Sequence, residues 1–301
     1  MEFWALERLR CPVCRRSGLE PEPGRLLCRG CGAESTVTDG VGDFVGRAHP
    51  AVAKERKAIA DIDAGEARLP VENTDESDPE TAAVAAYHRH VDQSRERLRE
   101  VLERYPPQEG AVIVELGADH CWASEVFLEH GCRVIAVDIS DHLYRAERAG
   151  DPDLCRLQSD MNDLPLTDGC VDAVWAVAAA HHSWSLEKTF AEAARVLKPG
   201  GFLAFCCEPM PSWLRYPFGL AFGADERELG INETWNHRGT WLAEARAAGF
   251  EAELVFPRFD RAGIEARLRS KGLPTFLAGW IAPVLPLLQV SIHLVATKRS
   301  A

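Results

Sequence analysis

Four cysteines close to the N-terminus constrain this chain more than any other feature. Cys11-Pro12-Val13-Cys14 is followed, thirteen residues later, by Cys28-Arg29-Gly30-Cys31. Two C-x-x-C pairs at this separation have the spacing of a zinc ribbon. In that motif each pair sits on a tight turn that points both sulfurs inward, and two such turns complete a tetrahedral site. Gly30 and Gly32 flank the second pair, where the backbone must turn sharply. Structural disulfides or coincidental spacing are the alternatives. The segment offers no non-cysteine fourth ligand and no open position. Cys11, Cys14, Cys28 and Cys31 are therefore expected to hold one closed, structural zinc, folding about forty residues that are too few to build a core alone.

The chain has 301 residues, room for such a ribbon and one large domain. Cys121, Cys132, Cys155, Cys170, Cys206 and Cys207 show no paired spacing, and most lie in apolar runs. They read as buried free thiols, which suits a reducing cytoplasm better than disulfides do. Met1-Glu2-Phe3-Trp4 carries no basic, then apolar, leader pattern. The most apolar stretch, Leu273 to Val295, is broken by Pro274, Pro283 and Pro286 and makes a poor membrane span. The formal net charge is −12, from 34 basic and 46 acidic residues, which weighs against nucleic acid as the main partner.

Three regions follow from the patterning: a ribbon over 1–48, a linker or mobile segment over 49–77, and one domain over 78–301. The linker reading rests on Glu72-Asn73-Thr74-Asp75-Glu76-Ser77-Asp78, a polar and acidic run. Asp78-Pro79 then opens a helix reaching about Arg104, with a capping acceptor followed by proline at the first helical position. From Ala111 onward, short apolar runs alternate with amphipathic helices. Strands are expected at Ala111–Val114, Arg133–Val137, Leu154–Gln158, Val171–Val177 and Phe202–Cys207, with a further strand near Glu251–Phe256 and a last one at about Gln289–Ala296. All-apolar strands separated by helices predict an α/β fold, a doubly wound and mostly parallel sheet covered on both faces.

Such sheets bind ligands at the carboxyl ends of their strands. The first strand ends in Glu115-Leu116-Gly117-Ala118 and the second in Val137-Asp138. A glycine there lets the backbone approach a ligand, and an acidic residue about 20 positions on can bind ribose hydroxyls. Ser159-Asp160-Met161 follows the third strand, Asp168-Gly169-Cys170-Val171-Asp172 leads into the fourth, and Arg195-Val196-Leu197-Lys198-Pro199-Gly200-Gly201 precedes the fifth. In this order of elements, from about Ala111 to Glu208, the chain resembles the class I S-adenosylmethionine-dependent methyltransferases. The resemblance implies a Rossmann-like domain with S-adenosylmethionine as cofactor. Glu115 and Gly117 would lie by its methionine part, Asp138 by the ribose hydroxyls, and Asp160 with Met161 by the adenine. The family pattern has glycines two and four positions after Gly117, where this chain has Asp119 and Cys121. Asp119 would sit near the methionine carboxylate, repelling it or meeting the ammonium instead. Beside it, His120 and Trp122 would line the cofactor mouth, or Trp122 would pack the helix start.

Ala180-His181-His182-Ser183-Trp184 follows the fourth strand, where this family places groups facing the transferring methyl. His181 or His182 is the candidate base, since histidine titrates near working pH. The alternative is one histidine bonded to backbone and one facing solvent, because sulfonium chemistry proceeds largely by alignment. Trp184, Glu208, Trp213, Tyr216, Trp235 and His237 are candidate acceptor-pocket residues on loops at the same sheet edge. Core packing or an oligomer interface would use the same aromatics. The expected function is methyl transfer to a small-molecule acceptor. Two alternatives stand beside it: an RNA base methyltransferase, since the ribbon-then-domain order looks like that of a bacterial ribosomal-RNA guanine methyltransferase, and a protein that binds the cofactor without transferring methyl.

Overall fold

The computed structural model describes residues 3–47, 49–67, 79–214, 216–217, 223–257, 272, 274, 276–277 and 291–299. The chain begins with a short helix, α1 (Phe3–Leu6), and the ribbon strands β1 (Leu19–Glu22), β2 (Arg25–Cys28), β3 (Glu34–Thr38) and β4 (Val41–Asp43). Helices α2 (Pro50–Asp63) and α3 (Pro79–Arg104) lead into β5 (Val112–Leu116), α4 (Trp122–Glu129), β6 (Arg133–Asp138), β7 (Leu154–Gln158) and β8 (Val171–Val177). Then come α5 (Leu186–Val196), β9 (Leu197–Pro209), α6 (Ala224–Leu229), α7 (Arg238–Ala247), β10 (Phe250–Val255) and β11 (Ser291–Lys298). Every strand expected from the apolar runs forms. Most of the apolar stretch from Leu273 to Val295 falls outside the described residues.

The strands form one sheet in the order β1-β2-β3-β4-β7-β6-β5-β8-β9-β11-β10. From β4 to β9 neighbouring strands are parallel, and β11 runs antiparallel between β9 and β10. The chain starts at β5, winds to β6 and β7 on one side, and returns to β8 on the other. The topological switch point therefore lies at the carboxyl end of β5.

The alternation of β5 divides the core in two. Val112, Val114 and Leu116 face one apolar cluster, with Phe190 of α5, Trp241 of α7, and Leu9, Leu19 and Leu26 of the ribbon. Ile113 faces the other, with Leu98 and Val101 of α3 and Phe127 of α4. The ribbon thus does the work of a covering helix on one face of the sheet. It also extends the sheet: Val41, Gly42 and Asp43 pair in parallel register with Arg156, Leu157 and Gln158. Arg156 is buried, and its guanidinium donates to the carbonyls of Leu143 at 2.7 Å and Asp39 at 2.7 Å, joining the ribbon to the body of the domain. Burying a Leu side chain of the Leu9 or Leu26 kind contributes about 1.5–3 kcal/mol, so the shared core carries a substantial part of the fold.

Within the ribbon the two knuckles are built alike. Arg15 N donates to Cys11 O at 2.9 Å and Gly32 N to Cys28 O at 2.8 Å, each with the donor residue in left-handed conformation (φ 63° and 73°). All four sulfurs converge within 4.8 Å of one another.

The segment expected to be a linker is in part a helix. Residues 50–63 form α2, with His49 capping its start and Pro50 at the first helical position; 68–78 lie outside the described residues. The amphipathic spacing of Val52, Glu55, Ala58 and Ile59 accounts for the helix, because this face is the one that packs on the domain. Its last residue, Asp63, accepts from His142 Nε2 at 2.8 Å, and the other ring nitrogen of His142 is bonded to Asp119. Burial opposes charge on His142, but the bonds to Asp119 and Asp63 outweigh it and push its pKa up to about 9.

The sign of the pH dependence follows. A raised histidine pKa contributes stability that is complete below the ordinary value near 6.5 and is lost as pH rises through about 9. Replacing His142 by alanine is expected to cost about 1–3 kcal/mol, the range for a buried charged hydrogen bond. Thermal melts of wild type and His142→Ala should therefore differ clearly at pH 6 and converge above pH 9. An unchanged gap at high pH would show that His142 is not held charged between the two carboxylates.

Candidate functional site

A cavity of about 390 Å³ opens at the switch point, bounded by the ends of β5, β6, β7 and β8 and roofed by α2 and α3. Glu115 in β5 is buried and accepts from the Ser124 hydroxyl; burial pushes its carboxyl up to about 8, so it is largely neutral, and it lies behind Gly117 without bordering the cavity. Gly117 follows with φ 67°, and a Cβ at this position would lie 2.4 Å from the Cβ of Ala179. The backbone must be bare here because the loop after β8 crosses directly against it.

Asp138, at the end of β6, accepts from Asp119 N at 2.8 Å through one oxygen and from Ser140 N at 2.7 Å through the other. A carboxylate has about four acceptor positions, so two remain toward the cavity. Asp160 borders the same space; its Oδ2 takes the Trp184 indole N–H at 2.9 Å and its Oδ1 the Asn162 amide at 2.8 Å. Trp184 is stacked on His49, at the start of α2, with centroids 4.0 Å apart. Met161 also borders the cavity.

The turn after β5 keeps the backbone of a glycine loop without its glycines. Asp119 has φ 49° and Cys121 φ 64°, both left-handed, at a cost of roughly 1–2 kcal/mol per residue. Asp119 is compensated by its own side chain. It accepts from the Tyr87 hydroxyl at 2.5 Å, lies 3.0 Å from His120 Nδ1, and bonds His142. Burial works against its charge, yet these donors hold the carboxyl well below the usual carboxylate range. Asp119 is therefore turned into a hydrogen-bond hub between α3 and the loop after β6. Trp122 borders the cavity.

The two histidines separate. His181 is buried, with Nδ1 2.7 Å from Glu208 and Nε2 3.5 Å from Glu233. Burial disfavours its charge, but Glu208 and Glu233 raise its pKa well above the ordinary histidine value, so it is no proton acceptor at neutral pH. His182 borders the cavity; its Nδ1 donates to Asn232 O at 2.6 Å. Burial, then the neighbouring His181 charge, lowers its pKa. Glu208 does not reach the cavity. It is fully buried and accepts from the backbone amides of Ala179 and Ala180, each at 3.0 Å, and of His181 at 3.1 Å.

Of the other expected pocket residues, Trp184 borders the cavity, whereas Trp213, Tyr216, Trp235 and His237 do not among the described residues. Trp213 is 71% exposed. Trp235 donates to Tyr216 O at 3.0 Å, Tyr216 meets His237 edge-on, and His237 caps α7 by accepting from Gly239 N at 2.9 Å. These four belong to the outer loops and the cap of α7. The sequence reading passed over Val52 and Glu55 of α2, Tyr87 and Val91 of α3, and Glu233. Glu55 is buried, accepts from the Asn232 amide at 2.8 Å, and is pushed by burial up to about 8. Its helical spacing with Val52 and Ile59, inside a stretch read as linker, was the available signal.

Residues 114–205 match the family model described as a methyltransferase domain. A malonyl-[acyl-carrier protein] O-methyltransferase of Enterobacter lignolyticus is 28% identical over 123 residues, 41% of this chain and 49% of that protein. The chain thus spans about half the length of the curated relatives it matches. Among solved structures, a chain from the complex of the Haloferax volcanii Trm112 methyltransferase activator with a methyltransferase is 22% identical, with 73% of this chain and 97% of that one covered and a TM-score of 0.54. Geranyl diphosphate C-methyltransferase of Streptomyces coelicolor, in complex with Mg²⁺, geranyl diphosphate and S-adenosyl-L-homocysteine, is 19% identical, covering 84% of this chain and 99% of that one with a TM-score of 0.52. At these identities the two structures speak for the fold. Residues 114–205 thus match a methyltransferase domain, and the fold that carries them is Rossmann-like.

Proposed function

We propose that the chain transfers methyl from S-adenosylmethionine to a small-molecule acceptor. The observation that carries this reading is the cavity at the switch point, where the bare backbone of Gly117 and the carboxylate of Asp138 face one space. The bound sulfonium would supply an electrophilic methyl. Asp138 would hold the ribose hydroxyls with its two remaining acceptor positions. Asp160, fixed by Trp184, and Met161 would bound the adenine, and neutral Glu115 would keep the turn after β5 in place. His182 is the member of the histidine pair placed to meet an acceptor, while His181 and Glu208 set the loop that presents it. The α2 and α3 roof would exclude water, so that catalysis is chiefly alignment of nucleophile and methyl. The net charge of −12 favours a small acceptor over a phosphate backbone.

The ribbon reading rests on its sulfurs. Cys11 and Cys31 lie 3.6 Å apart, and Cys14 and Cys28 3.5 Å apart. Tetrahedral zinc with bonds of about 2.3 Å separates its sulfurs by about 3.8 Å, whereas a disulfide needs about 2.05 Å. The four thiols fit a structural zinc closed to solvent chemistry.

Elemental analysis of freshly purified protein should give about one zinc per chain attributable to these thiols, and Cys28→Ser should lose it together with much of the melting temperature. Zinc-free protein with an intact fold would remove the ribbon metal from the account.

Calorimetry with S-adenosylmethionine tests the cofactor site. Asp138→Ala is expected to weaken binding by ~10- to 100-fold, the scale of losing charge-assisted hydrogen bonds. Asp119→Gly should change affinity much less and instead lower thermal stability, because its carboxylate is spent on Tyr87, His120 and His142. Unchanged affinity in Asp138→Ala would overturn the placement of the ribose. Tight cofactor binding without product release across a screen of hydroxylated acids, phenols and amines would leave a cofactor-binding protein.

A further inference from the structure

We propose that His181 Nε2, His182 Nε2 and the Glu233 carboxylate form a binding site for one divalent transition-metal ion beside the cavity wall to which His182 belongs. Two imidazoles and a carboxylate meet there from two separate segments, the turn after β8 and the loop before α7. The Nε2 atoms of His181 and His182 lie 3.5 Å and 3.7 Å from the same Glu233 oxygen, Oε1. Ligand atoms bound tetrahedrally at about 2.1 Å are about 3.4 Å apart, so a small inward adjustment closes the set on an ion.

The outer bonds of the two rings are those that metal-binding histidines make. His181 Nδ1 is held by the Glu208 carboxylate at 2.7 Å, and His182 Nδ1 by the Asn232 carbonyl at 2.6 Å. A carboxylate or carbonyl on the far nitrogen fixes the tautomer and aims Nε2 at the ion. The loop that brings Glu233 is pinned to the same turn, since Thr234 donates to His181 O through both its amide at 3.1 Å and its hydroxyl. The three side chains are therefore placed before any ion arrives. Binding would exchange the Nε2 proton of His181 for the ion.

An independent observation singles out Glu233. Its side chain is 9% exposed, and Oε2 is buried with no hydrogen-bond partner among the described residues. A buried, unpaired carboxylate oxygen is costly, and an ion held by both Glu233 oxygens would satisfy it. The other cluster of comparable composition, Asp119, His120 and His142, lacks this feature. There both His142 nitrogens and both Asp119 oxygens already have partners. Imidazole and carboxylate ligands together suit zinc, iron(II), cobalt or nickel rather than magnesium or calcium. Of the three ligands His182 borders the cavity, and three protein ligands leave positions for a further one, as in sites that bind a substrate atom. An acceptor oxygen is the fitting fourth ligand; that use rests on the methyl-transfer reading, whereas the site itself does not.

Cobalt(II) is the probe. Full-length protein with its ribbon metal in place is titrated with cobalt chloride, and bound cobalt is followed by visible absorption and by elemental analysis after dialysis. The expected result is one cobalt per chain beyond the ribbon metal, without the intense thiolate charge-transfer bands that a Cys₄ site gives. Glu233→Gln and His182→Ala should each weaken it at least ~10-fold, while His142→Ala binds as wild type does. No cobalt beyond the ribbon, or equal binding by all three variants, would overturn the proposal. Anomalous diffraction from wild-type crystals grown with cobalt decides the matter without any variant: a peak among the three side chains supports it, and its absence refutes it. None of these readouts depends on methyl transfer, so the two readings fail separately.

Discussion

The buried carboxylate of Glu208 is the interaction on which the site depends. Its oxygens collect three consecutive backbone amides and one imidazole nitrogen from the turn after β8. The turn itself is unfavourable, since Ala178 sits at φ 53°. A buried carboxylate with several charge-assisted bonds can hold such a backbone against its preference. Once the turn is fixed, Ala179 presses on the carboxyl end of β5, position 117 must be glycine, and His182 is delivered to the cavity wall. The geometry at the switch point thus follows from one side chain at the end of β9.

The turn after β5 solves a related problem by another route. Asp119 and Cys121 hold left-handed conformations that glycine would adopt freely. Asp119 recovers the cost through donors from α3 and from the loop after β6, which also helps anchor α2 through His142 and Asp63. Roofing helices and the turn after β5 are therefore one connected network. The departure from the family pattern is a structural exchange, in which backbone freedom is given up for a buried polar tie.

Much of this was legible in the sequence. Apolar runs such as Val112–Leu116 and Val171–Val177 marked the parallel strands because both faces of each are covered. Gly117, Asp138 and Asp160 were readable because strand ends and spacing place them at one sheet edge. The role of Glu208 was hidden, since an acidic residue after a strand looks the same whether it lines a pocket or caps a loop; only the register of β8 against β9 reveals it. The loop aromatics Trp213, Tyr216 and Trp235 misled for the mirror reason, as composition does not say which way a loop folds. Helix α2 was missed because a flanking acidic run outweighed four apolar-face positions. The spacing of the four cysteines was legible, but not that their segment shares the core, because Leu9, Leu19 and Leu26 bury against the sheet.

Sharing that core gives the ribbon a second consequence. Strand β7 is buried along all five of its residues, and the neighbour on its outer side is β4. Parallel strands of this kind are ordinarily interior, with no prolines or bulges to discourage foreign partners, and the one charge here, Arg156, is turned to the carbonyls of Leu143 and Asp39. Cut away from the ribbon, the domain would present β7 as an unpaired edge, a template for pairing with another copy. The ribbon thus moves the edge of the sheet from β7 to β1, whose Glu20, Pro21 and Glu22 are residues that discourage pairing.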